Sequence, residues 1–406
     1  MNCGPVLLKT LIALGVLTMF ACGREGRRSA PYSAAKTYRT RAGVVDIYAA
    51  TGANRLAPMA ARALPMVYVP NSLSGTVTVI DPQTYKVVRT FATGKVPQHV
   101  VPSYDLSKLW VANNGSDSLT PIDPLTGKEE APVPVRDPYN LYFTPDGQYA
   151  MVIAETRRRV DFRDPKTMRL VQSLPVDCRG LDHVEFTADN RYAIATCEFS
   201  GQLVKIDLAT RNIVGYLTLQ PEPWTRSIGR QIKKILGRPS AMAGSMPQDI
   251  RSSPDGRTFY AADMKDNGVF VIDPSKFQRL GFIPTGIGAH GIYPSRDGTK
   301  LYVTNRGWNT IAGGHHGPGS ISVLDPATNK VVANWPIPGG GSPDMGNVTA
   351  DGKELWVSGR YDDEVYVFDT TTGRLTHRIP VGRQPHGLCV WPQPGRYSLG
   401  HTGNMR

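Results

Sequence analysis

The stretch SRDGTKLYVTN at residues 295–305, followed at 321–326 by ISVLDP, decides the fold. Its Asp-Gly pair is a hairpin-turn signal, and both flanking runs are rich in β-branched and aromatic residues, as strands are. The second phrase, an apolar strand ending in Asp and usually followed by Pro, occurs seven times: VTVIDP at Asp81, LTPIDP at Asp123, VDFRDP at Asp164, LVKIDL at Asp207, VFVIDP at Asp273, ISVLDP at Asp325 and VYVFDT at Asp369. The spacings are 42, 41, 43, 66, 52 and 44 residues. A strand precedes it each time, as MVYVPN at 66–71, LWVANN at 109–114, YAMVIAE at 149–155, YAIATCE at 192–198, FYAAD at 259–263, LYVTN at 301–305 and LWVSG at 355–359. A further turn, such as Leu125-Thr126-Gly127-Lys128, leads to a fourth strand such as 330–335. Four strands in a period of about 40–45 residues make a propeller blade, so the chain predicts an all-β, seven-bladed propeller of four-stranded antiparallel blades.

The first unit lacks its innermost strand, and a spare one stands near the end as HGLCVW at 386–391, matching His290-Gly291-Ile292-Tyr293. The C-terminal strand is therefore expected to complete blade 1 and leave no unpaired edge at the ring junction. These phrases closely resemble the YVTN-repeat propellers of the YncE-like group, with LYVTN at 301–305 almost verbatim, over residues 66 to about 395. The resemblance implies a fold and no particular activity. More distantly the chain resembles the haem d1-binding propeller of nitrite reductases and its relatives in haem d1 maturation, where histidines over the channel mouth contact cofactor or substrate. His99, His183, His290 and His386 are the positions that would take this part. That domain has eight blades, against the seven repeats here. A third analogy is to propeller lyases that open cyclic antibiotics with a His base and a divalent metal, for which the chain shows no motif.

Around the propeller, residues 1–22 read as a secretory leader, with an apolar run from Leu11 to Phe20 and a lipobox-like Met19-Phe20-Ala21-Cys22. Cys22 is the expected lipidation site, which places the mature chain in the periplasm or on the outer membrane. Residues 23–65 carry no sustained period and read as a basic flexible tether. The propeller is expected over 66–395, with insertions at 219–247 and 305–319, and 396–406 is left as a C-terminal tail. The chain has 46 Lys+Arg against 34 Asp+Glu, a net +12, but the leader, tether and first insertion supply 11 of that surplus. The propeller body is close to neutral, which argues against nucleic acid as a partner and for anionic headgroups near the tether.

In a blade lettered a to d from the channel outward, the a–b and c–d turns share one face of the disc, while the b–c and d–a connections share the other. Both insertions fall on the second face, where function is expected. The start of strand a, at the channel mouth on that face, holds a polar residue in every repeat: His99, Asn140, His183, Asp249, His290, Asp344 and His386. Counted from the Asp-Gly turn, the last three sit one position earlier than the first four. The loop at 305–319 adds Trp308, His315 and His316 as candidates. Imidazoles and carboxylates converging on a channel are what a metal site, a tetrapyrrole pocket or a proton-transfer site requires, with His99, His183, His290 and His386 as candidate metal ligands. A wet channel also tolerates such residues with no ligand at all.

The segment 224–238 places Ile228, Ile232, Ile235 and Leu236 at helical spacing with Arg226, Arg230, Lys233 and Lys234 on other faces, a short basic amphipathic helix suited to a lid, a membrane contact or a plug. In an oxidising compartment Cys178 and Cys197 stand close enough in the repeat to bridge, leaving Cys389 on the closing strand. No CxxCH is present, so no covalent haem is expected. With no nucleophile elbow or ordered triad, the reading favours a scaffold that binds an envelope protein or small ligand through the channel-mouth face. The alternative is a cofactor- or metal-dependent redox or maturation protein.

Overall fold

The computed structural model describes residues 46–220 and 244–406, with the backbone of two short strands, Arg39–Thr40 and Gly43–Val44. The chain forms seven antiparallel blades. Their innermost strands are Cys389–Trp391 (blade 1), Pro97–Pro102, Asn140–Phe143, Leu181–Phe186, Pro247–Ser252, Ala289–Pro294 and Pro343–Val348 (blade 7). Closure is as the repeat predicts: Cys389, Val390 and Trp391 pair with Tyr68, Val67 and Met66 of strand b in blade 1.

Strands b and c are buried almost throughout and pack blade against blade, with Trp356, Tyr68, Tyr260 and Tyr366 among the largest enclosed side chains. Strand d, the outer edge, alternates instead, as in Asn212–Thr218, where every second side chain is exposed. The a–b turns repeat one device. A Ser or Thr hydroxyl donates to an Asp two residues on, as in Ser253 to Asp255 (2.6 Å) and Thr349 to Asp351 (2.7 Å). The following residue adopts a left-handed conformation in Gly147, Gly256 and Gly298, with φ of 71°, 69° and 69°, where a side chain would be strained.

The face carrying these turns is covered by both ends of the described chain. Residues 46–64, expected to belong to the flexible tether, are instead laid across the disc: Ile47 N–H donates to Pro254, Tyr48 Oη to Ser252, Asn54 N–H to Ala350 and Leu64 N–H to Pro124. Residues 396–406, expected only as a tail, form a hairpin of Ser398–Gly400 and Asn404–Met405 inside the channel. Gly400 pairs with Tyr142 on strand a of blade 3, so the hairpin rises from the turn face towards the mouth. Apart from those two short strands, the tether up to Val45 lies outside the described residues, as do Cys22 and the amphipathic segment 224–238. Among the described residues no helix is long and apolar enough to cross a membrane.

Candidate functional site at the channel mouth

The polar residues enter the channel through a bulge. In blades 2, 4, 5, 6 and 7 the a–b register breaks at the second and third residues of strand a, as between Pro97 and Val100 or between Ala289 and Ile292. A bulge turns two successive side chains out of the strict in-out alternation. Each of these blades thus offers two positions, Gln98-His99, Asp182-His183, Gln248-Asp249, His290-Gly291 and Asp344-Met345. The offset noticed in the repeats is the choice between them: His99, His183 and Asp249 take the second position, His290 and Asp344 the first.

All seven candidates on strand a are buried. Their rings meet directly, with centroids 4.8 Å apart for His99 and His386, 5.6 Å for His99 and His183, 5.9 Å for His290 and His386 and 6.3 Å for His183 and His290. Gly387 permits the first contact. A Cβ there would stand 2.1 Å from His99 Cδ2.

The cluster has two halves. In one, Asp344 accepts from Arg306 Nε and from His386 Nδ1, both at 2.6 Å, and lies 3.1 Å from His290 Nδ1. Arg306 Nη2 also reaches His290 Nε2 at 2.7 Å, so that nitrogen accepts from a cation and is not open to a metal. Burial alone would raise Asp344, but Arg306, His290 and His386 hold its carboxyl well below the usual range. Burial pushes His386 down to about 4 and His290 well below its ordinary value.

In the other half, His99 Nδ1 donates to the Tyr139 carbonyl at 3.0 Å, and His183 Nδ1 lies 3.3 Å from both Tyr142 Oη and Asn140 Nδ2. The tail adds a member that the repeats do not contain, His401, fully buried, with ring centroids 4.7 Å from His183 and 5.5 Å from His99. Asp182 places Oδ1 3.1 Å from His183 Nε2. Burial, with Glu198 and Glu155 nearby, raises Asp182 well above its ordinary value, while burial beside Glu198 and Asp137 lifts Glu155 to about 7. The mouth is therefore a pool of buried, largely uncharged acids and bases beside a compact ion cluster on Asp344.

The fourfold ligand set His99, His183, His290 and His386 is thus divided by the structure. His99 and His183 join His401, whereas His290 and His386 are engaged by Asp344, Arg306 and Tyr139, whose Oη lies 3.4 Å from His386 Nε2. Asp249 accepts from Ile250 and Ile292 N–H and pairs with the buried Arg251 at 3.1 Å, and Asn140 accepts from Leu141 N–H. His315 and His316 stay out, 67% and 64% exposed beside Asp362. Trp308 sits on the rim, with Nε1 donating to Gly314. Cys178 and Cys197 form a disulfide, and Cys389 is free and buried. A flat macrocycle does not fit among these histidines, because the rings touch one another and the hairpin fills the space below them.

Fold and site together define a repeat propeller with a polar, internally plugged channel. The chain belongs to the YncE-like β-propeller family, whose sequence model matches residues 33–214 and 230–395. No curated protein matches it. Among solved structures it is similar to the hydrazine synthase of Kuenenia stuttgartiensis (TM-score 0.55, 20% identity, covering 71% of this chain and 87% of that one). It is also similar to the dihydro-haem d1 dehydrogenase NirN in complex with DHE (0.57, 17%, 80% and 75%) and to a functionally unknown protein of Desulfotomaculum acetoxidans (0.64, 13%, 81% and 100%). At these identities the likeness is one of fold.

Proposed function

We propose that the chain is an exported, envelope-anchored binding propeller that captures a small polar ligand or a partner segment on the face where the a strands begin. The observation that carries this reading is the asymmetry of the two channel ends. One is sealed by residues 46–64 and 396–406, while the other gathers Asp182, Glu155, Glu198, Tyr139 and Arg306 beneath a rim that exposes Trp308 (38%) and Ile311 (52%). Buried ionisable groups are costly unless something compensates them, so their concentration at one mouth supports recognition there. The Cys178–Cys197 disulfide suits an oxidising compartment, and Cys22 supplies the anchor in this reading.

The test is site-specific photo-crosslinking in the native envelope, with the probe at Trp308 or, as a control, at Val214 on the outer edge of blade 4. A discrete adduct from position 308 and none from 214 supports the reading. Equal labelling, or none from either, overturns it. Mass spectrometry of the mature N-terminus checks the anchor, which requires a diacylglyceryl-modified Cys22.

A further inference from the structure

We propose that His99, His183 and His401 form a binding site for one divalent transition-metal ion, with the C-terminal hairpin supplying the third ligand. One ring nitrogen from each residue lies within 4.8 Å of the other two. The Nε2 atoms of all three are buried and have no hydrogen-bond partner. Buried polar atoms are almost always satisfied, and three unsatisfied imidazole nitrogens on rings packed this closely mark a place for an occupant.

Each ring is held from behind by its other nitrogen, the arrangement that orients metal-binding histidines. His99 Nδ1 donates to the Tyr139 carbonyl, which leaves Nε2 with a free lone pair. His183 and His401 set Nδ1 against hydroxyls, Tyr142 Oη at 3.3 Å and Thr402 Oγ1 at 2.9 Å, whose hydrogens can turn so that each ring carries its proton on Nδ1, which requires the Asn140 amide, its Nδ2 also 3.3 Å from His183 Nδ1, to swing away. Thr402 N–H also closes on His401 Nδ1 at 2.6 Å, and the metal-bound ring has to open that contact. Burial keeps all three rings uncharged, as ligation requires.

Distance separates the possible occupants. Metal–nitrogen bonds of about 2.0–2.1 Å place tetrahedral ligands roughly 3.4 Å apart, so the rings draw together on binding. A water molecule holding three hydrogen bonds of about 2.9 Å would keep them near 4.7 Å and is the competing occupant. The neighbouring Asp182 places a carboxyl oxygen 3.1 Å from His183 Nε2, an oxygen donor that a metal ion can add to the three imidazoles. An all-imidazole set suits Zn2+, Co2+, Ni2+ or Cu2+ and not Mg2+ or Ca2+.

The site does not depend on what the mouth captures, and its test needs no partner. The full mature chain is purified without chelators and titrated with Co2+ and Zn2+, reading metal content by mass spectrometry, the Co2+ visible spectrum and the melting temperature. The expected result is one equivalent of metal, cobalt bands of a low-symmetry nitrogen site, and a melting temperature raised by Zn2+ and unmoved by Mg2+. H401A and the near-isosteric H401Q should each weaken binding at least 100-fold while melting cooperatively, whereas the H315A/H316A double variant should bind as the parent does. Should both His401 variants fail to fold, H99Q carries the same expectation. No metal uptake, unchanged affinity in these channel variants, or loss of binding in the surface double variant would each overturn the proposal.

Discussion

Strands a and d of each blade obey opposite rules. The outer strands carry exposed Val87, Val88, Val214 and Val332 at solvent, while the inner strands bury His99, Asp182, His183, Asp249 and Asp344 completely or nearly so. An exposed valine costs little, because much of any protein surface is apolar. A buried carboxylate or imidazole costs several kcal/mol unless its partners are all in place. The outer edge is thus free to vary, and the inner edge is a set of mutually dependent choices.

This contrast can be broken most severely by removing 386–406, which takes away both the closing strand and the hairpin. We expect no cooperative melt by circular dichroism and association through the opened edge of blade 1 by size exclusion. D344N comes next. It leaves Arg306 buried without its counter-ion and should lower the free energy of unfolding by about 3–5 kcal/mol, read from urea denaturation. R406A removes the cation 2.9 Å from Glu185, which keeps Phe186 N–H at 2.8 Å, so the loss should be smaller, about 2–3 kcal/mol in the same assay.

A change of pH acts on the inner residues alone. Glu155, lifted to about 7, and Asp263, lifted by burial and Asp266 to about 8, hold protons in the folded chain that the unfolded chain releases above pH ~4.5. Their contribution to stability therefore falls as pH rises through 7 and 8. The buried imidazoles act in the opposite sense, costing stability as pH falls below about 7.5, where the unfolded chain begins to bind protons that the folded one refuses. Above about pH 7.5 the imidazoles are neutral in both states and only the carboxyls operate, so between pH 7.5 and 8.5 the unfolding free energy should drop by about 0.5–1 kcal/mol. At the outer edge, V214T should change it by less than about 0.5 kcal/mol, and a larger effect would erase the distinction between the two edges.

What the sequence made legible follows the same divide. The b and c strands, the Asp-Gly turns and the closing HGLCVW recur with a period, and a period is visible without coordinates. The polar starts of strand a were visible too, and the one-residue offset between His99 and His290 was the trace of the bulge, which admits Asp182 and Gln248 beside the expected residues. His401, Arg406, Tyr48 and Arg306 were missed because nothing repeats them. The hairpin meets blade 3 through the single pair Tyr142 and Gly400, and Arg306 enters the channel from the base of a loop unique to blade 6. Such contacts are set by tertiary packing and leave no periodic signal.

The pairing of Val390 with Val67 also sets an order of events. A polypeptide delivered N-terminus first presents Met66–Asn71 with its inner edge bare until more than 300 further residues have arrived, so closure is the strand pairing of greatest sequence separation among the described residues and a slow one. Throughout that interval blade 1 is a template for whichever strand reaches it first, including the same segment of another molecule.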